Sequence, residues 1–401
     1  MNATPVTAHS AGHNRAGYSA QRLFFPAAAL LAALGPWLLL GVPDHGQAVV
    51  DVPTHARSML FGYVGALIAG YLGGRMAAAR LAGLFGLWLA ARCAELFPAE
   101  PLLVQALYAA FGLSLATLVV PRFSSARKWR NRLIVPVLAA ITCFPVLLWA
   151  GGALGMDAYS ALHALVLVIT LLLFFMGGRF ITPLLARAYA DRGGRLPHRV
   201  QPVLEGTVML LLLGAATLGL WGGDGRWTAL LAGLAGLLVL VRLARWRLFL
   251  PDPRHADLKA LGVGYLWLGL GLLAFSLSLA GALPLTASLH VITVGALGTL
   301  SSTVMLKAAQ GSGQARAARY YAVIGLLLVA CIARYAAGVS PAWRTTLLML
   351  TASLWSLNFL LVAYHLVSAD KIGNPRGRIL SGQVRADGLT RRNAVPTCTN
   401  T

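Results

Sequence analysis

Between residue 20 and residue 367 the chain runs through twelve long apolar stretches separated by short polar connections, and this succession decides what it can fold into. A hydrocarbon core about 30 Å thick takes about twenty apolar residues as a helix, and helices satisfy their own backbone groups where no water is present. The stretches fall at 23–42, 58–73, 80–97, 102–120, 132–151, 159–176, 203–221, 227–243, 258–280, 285–306, 320–338 and 344–367. They are continuously apolar and rich in Leu, Ala and Gly, without the alternation that a membrane β-strand needs. The sequence therefore predicts an all-α polytopic transmembrane bundle of about twelve helices over 21–368, between a disordered tail at 1–20 and a basic tail at 369–401. The first stretch lacks a small-residue cleavage site, so it is expected to stay as a helix.

Charge gives the orientation. The chain carries a formal +21 with 58% hydrophobic and only 11% charged residues, and the basic residues fall between the apolar stretches instead of forming the compact patch of a nucleic-acid binder. They crowd every second connection: Arg75 and Arg80; Arg122 to Arg132; Arg179 to Arg199; Arg242 to Lys259; Lys307 to Arg319; and Lys371 to Arg392. The alternate connections hold little beyond Arg57, Arg226 and Arg344. Positive residues stay on the cytoplasmic side, so both termini are expected there, in a bacterial inner membrane. Cys93, Cys143, Cys331 and Cys398 form no CxxC or CxxCH and indicate neither a disulfide framework nor covalent haem attachment.

That orientation sorts the nine histidines. His9, His13, His198 and His255 fall in cytoplasmic segments and read as solvated, and His365 reads as an interfacial anchor. His45, His55, His163 and His290 all fall on the periplasmic side. Arg92 and Glu95, three apart on one helix face, and Arg334 lie at the same level. Imidazoles there can ligate a metal or haem iron, and guanidiniums can meet propionates or other anions. The plainer alternative is that each is satisfied separately by neighbouring helices or interfacial water. Gly73-Gly74-Arg75 and Gly177-Gly178-Arg179 end two helices, with glycine for close packing and arginine for the interface. Glu205 reads as a helix-dipole charge, and Tyr265, Trp267, Trp355, Phe359 and Tyr364 as packing or belt aromatics.

Four stretches resemble the NnrS family of membrane proteins, associated with haem, copper and the nitric oxide response. They are Met59-Leu60-Phe61-Gly62-Tyr63-Val64-Gly65, Gly177-Gly178-Arg179, Gly264-Tyr265-Leu266-Trp267 and Leu289-His290-Val291-Ile292-Thr293-Val294-Gly295-Ala296-Leu297-Gly298. The family's usual His-Ala-His-Glu-Met is here His55-Ala56-Arg57-Ser58-Met59, and its histidine before the Gly-Tyr of the ninth helix is replaced by Gly262 or Val263. The Pro-Asn-Trp-Thr after the second helix is missing, and the proline after Gly-Gly-Arg is displaced to Pro183. By motif His55 and His290 carry over as metal-ligand candidates, with His163 a further histidine at that level. Arg92 and Arg334 look like the family's polar residues in the third and eleventh helices.

The resemblance implies a haem-binding protein, with copper as a second metal and nitric oxide as the small-molecule ligand, protecting against nitrosative stress. No carboxylate pair or nucleophile with its base is visible, which favours binding over turnover. Two other readings stay open: a secondary transporter, which should carry coupling charges near mid-membrane, and a metal-free structural or regulatory relative.

Overall fold

The computed structural model describes residues 17–41, 49–97, 99–124, 132–153, 155–196, 201–222, 224–248, 255–309 and 317–390. His9, His13, His45, His198 and Cys398 lie outside them, as do most of the first tail and the end of the second.

The chain is an all-α bundle. Its crossing segments are α1 (Gln21–Leu40), α2 (Val52–Arg57, a π-helical turn Ser58–Tyr63, then Val64–Gly73), α3 (Ala78–Leu96), α4 (Pro101–Val119), α5 (Ile134–Ala153) and α6 (Ala158–Ala190). They continue as α7 (Pro202–Leu220), α8 (Gly225–Trp246), α9 (Ala256–Leu279), α10 (Leu285–His290, a second π-helical turn Val291–Leu297, then Gly298–Ala309), α11 (Ala317–Val339) and α12 (Arg344–Thr390). Among the described residues, ten helices are long and apolar enough to span a membrane unaided. The remaining crossings are α2, divided by its π turn, and α3, which carries Arg80, Arg92 and Glu95. The protein is thus a multi-pass membrane protein.

Local chemistry sets the helix starts. Proline at the first turn opens α4 and α7, where a missing N–H costs nothing. Asp51 and Asp157 cap α2 and α6 by accepting the Thr54 and Ser160 backbone N–H groups, each at 2.8 Å. Helix α6 runs well past the expected 176 because Ile181, Leu185 and Ala188 continue one buried face through the basic segment. Residues Tyr18–Ser19, placed in the expected tail, pair antiparallel with Arg75–Met76. Gly74, at φ +62°, turns the chain there, and its carbonyl accepts the Ala20 N–H at 2.9 Å.

Each helix packs on the next in sequence and α12 closes on α1, leaving α2 and α10 inside. Helix α2 also meets α4 and α5, and α10 meets α6 and α12. The α1–α12 closure is tied by Trp37 Nε1 donating to Ser356 Oγ (2.8 Å) and Trp355 Nε1 donating to the Ala32 carbonyl (2.7 Å). The two inner helices are joined by a buried bond between the Tyr63 hydroxyl and Ser301 Oγ at 2.5 Å.

Candidate functional site

The two π-helical turns mark the site. His55 lies three residues before the turn in α2, and His290 immediately precedes the one in α10. A π turn inserts an extra residue into the helix and persists where packing or function stabilises it. Each turn here contains a glycine invaded by a neighbouring helix. A Cβ on Gly62 would meet the Arg92 guanidinium at 2.2 Å, and one on Gly295 would meet Trp267 at 2.9 Å and the Cys331 sulfur at 3.0 Å.

Both imidazoles are held by the same nitrogen. His55 Nδ1 lies 3.2 Å from the Gly35 carbonyl and His290 Nδ1 2.7 Å from the Thr286 carbonyl. A carbonyl only accepts, so Nδ1 carries the proton and each Nε2 keeps its lone pair, the arrangement that orients a metal-ligating histidine. His290 lies within electrostatic range of His55 and Arg334, and His55 within range of Arg334. Arg334 is in turn repelled by Arg344, and no carboxylate acts on any of the three among the described residues. The Met59 thioether packs against Gly35, the residue whose carbonyl holds His55. Three residues from far apart in the sequence thus act on one another electrostatically.

The other two expected residues sit elsewhere. His163 is half-buried on α6, where the charge it feels is that of the helix cap Asp157. Arg92 belongs to a second cluster around Glu95. That carboxylate accepts from Ser58 Oγ and Tyr108 OH, both at 2.5 Å, and faces Arg57 Nε at 3.5 Å and Arg92 Nη1 at 3.6 Å. The Arg92 guanidinium lies 4.1 Å over the Tyr108 ring. Arg57 and Ser58, which replace the His and Glu of the family pattern, therefore both bind Glu95. The positions that differ from the family pattern here belong to an ion-pair network.

A third cluster lies toward the basic side and escaped the sequence reading. Arg242, counted there as a connection residue, is 3% exposed. It pairs with Glu205 at 2.6 Å, lies 4.7 Å over Phe174 and 4.6 Å over Trp246, and reaches the Tyr265 hydroxyl at 3.4 Å. Glu205 is thus an ion-pair partner as well as a first-turn charge, and Tyr265 bonds polar groups as well as packing. The available signal was periodicity: Val239, Arg242, Leu243 and Trp246 share one buried helix face.

The model of the NnrS protein family matches residues 18–369. The chain belongs to the NnrS family. Comparison with curated proteins finds no match. All three clusters fall within the matched region, and each touches a stretch that carries the NnrS resemblance: Met59 to Gly65, Leu289 to Gly298, and Gly177-Gly178 beside Tyr265. Gly177 and Gly178 have a specific use, since a Cβ there would meet Tyr265 and Arg242, each at 2.5 Å.

Proposed function

We propose that this NnrS-family protein holds haem at the His55–His290–Arg334 site, in the bacterial inner membrane, and takes part in protection from nitric oxide. The observation that carries the reading is a pair of imidazoles with Nδ1 tied to carbonyls and Nε2 open, beside a guanidinium on which no carboxylate acts.

The donor set discriminates between metals. Among the described residues no three His, Cys, Asp or Glu side chains gather as a metal site. A structural zinc ion takes about four protein ligands, whereas haem brings its equatorial nitrogens and needs one or two axial imidazoles. His290 or His55 would hold the iron, and Arg334 would meet a propionate. Copper takes second place, as a low-coordinate soft ion using the same imidazoles with the Met59 thioether nearby. Haem iron with an open position supplies nitric oxide binding. The protein's part is to fix the imidazole tautomers, neutralise an acidic substituent and surround the site with apolar helices that a small neutral ligand can cross from the lipid. The distribution of basic connections supports a periplasmic position for this site.

The test is a pyridine haemochrome spectrum with metal analysis of the purified full chain, followed by nitric oxide titration of its Soret band. His290→Ala is expected to strip most of the haem, and His163→Ala to leave more of it bound. Full haem retention by His290→Ala removes the ligand assignment.

A further inference from the structure

Three voids lie along helix α2. Near its outer end a cavity of about 170 Å³ is walled by α2, α4, α5 and the start of α6, with Arg57, Gln105, Phe61, Leu148 and Trp149 among its lining residues. Near its inner end a second cavity, about 120 Å³, lies between α2, α6, α9 and α10 and is walled by residues such as Leu67, Leu172, Leu300 and Val304. Between them lies a separate void of about 10 Å³ that has lining residues in common with both. It shares Phe61, Tyr108 and Pro145 with the outer cavity and Ile68 with the inner one. From Pro53 to Leu72 the line covers about 28 Å at 1.5 Å per residue, close to the thickness of the hydrocarbon core.

We propose that these three voids form an access route and store for a small uncharged molecule of diatomic size, admitted near Arg57 and held in the inner cavity. The throat sets the size, because about 10–15 Å³ of such space holds one water-sized particle, too little for an acyl or isoprenoid chain. The walls set the polarity. Among the described residues Arg57 is the sole charged group on the three linings, so an ion would cross without compensation. In the inner cavity the Ser301 hydroxyl is already bonded to Tyr63 and to the Leu297 carbonyl, so its proton is not available to water. Apolar cavities of this kind stay dry and take up xenon. Phe61 and Ile68 stand between the voids, and passage would go by way of their rotamer changes, which are fast compared with opening of the helix bundle. The route stands independently of any group at the histidines.

The experiment is xenon-129 exchange NMR on the full chain in nanodiscs, which reads occupancy and exchange rate separately and needs no haem. A protein-specific xenon signal is expected. Val304→Trp, which fills the inner cavity, should cut xenon occupancy at least fivefold, and the smaller change Val304→Phe should cut it partially with the fold kept. Leu162→Trp, which fills the outer cavity, should slow exchange at least tenfold and leave equilibrium occupancy unchanged. Absence of a specific signal, equal occupancy in both Val304 variants and the parent, or an exchange rate untouched by Leu162→Trp each overturns the proposal. An acyl or isoprenoid chain found in the inner cavity by native mass spectrometry overturns it too.

Discussion

The Nη1 of Arg92 rests on Gly62 so closely that a Cβ there would stand 2.2 Å from it. The same relationship recurs toward the other side of the bundle, where Arg242 rests on Gly178 with a corresponding distance of 2.5 Å. In both places a guanidinium from another helix fills the space of a missing side chain, pairs with a glutamate and lies over aromatic rings. Two of the family's glycine-bearing stretches thus serve as seats for buried cations.

Gly62→Ala is therefore expected to displace Arg92 from Tyr108 and Glu95 and to lower stability by about 1–3 kcal/mol, the usual cost of overpacking. Thermal unfolding in detergent measures it. A backbone hydrogen-bonded to Trp88 at Gly62 leaves little room for relaxation. An unchanged midpoint would mean that the guanidinium simply swings away.

Arg242→Leu removes the ion pair with Glu205 and two cation–π contacts, whereas Glu205→Gln keeps a hydrogen-bond acceptor facing Arg242. Breaking a buried pair typically costs about 3–5 kcal/mol. Glu205 retains partial solvent contact, so the lower end applies, with Glu205→Gln milder than Arg242→Leu. A double-mutant cycle on the unfolding midpoint separates the pair energy from the packing loss. Ligand content at the histidines should not respond, because this cluster lies near the other side of the bundle.

The start of α2 should respond to acid through Asp51. Its carboxyl titrates below the ordinary value of 3.8, held down first by the Thr54 hydroxyl and then by the Thr54 backbone N–H. A depressed carboxylate contributes stability that is complete above the unfolded value and disappears as the pH falls through the lower folded one. Hydrogen exchange of residues 52–57 should therefore accelerate below that pH in the parent. Asp51→Asn should flatten the dependence while keeping most of the cap, and Asp51→Ala should lose about 1 kcal/mol at neutral pH.

Tyr63→Phe tests the link between the two inner helices. It removes the bond to Ser301, whose hydroxyl keeps the Leu297 carbonyl as a partner. A loss of about 1 kcal/mol is expected from a hydrogen bond whose remaining partner stays satisfied. A loss several times larger, read by chemical or thermal unfolding, would show that this one bond holds α2 against α10.

What the sequence determined by itself was the set of crossings and their order. Lipid forces each apolar stretch to satisfy its backbone internally, a local demand met within one helix whatever its neighbours, so the spans could be read from the run lengths alone. The level of His55, His290 and Arg334 followed from counting crossings. Tertiary structure decided which polar groups meet. Arg92 and Arg334 are expected at one depth, yet Arg92 pairs with Glu95 and lies over Tyr108, whereas Arg334 acts electrostatically on the histidines. Glu205 and Arg242 lie on different helices with no sequence pattern to join them. Even the extra residue in each π turn depends on a side chain from outside the helix entering beside Gly62 or Gly295. Depth is a one-dimensional property of the chain, whereas rotation about each helix axis is fixed only when all the neighbours are in place.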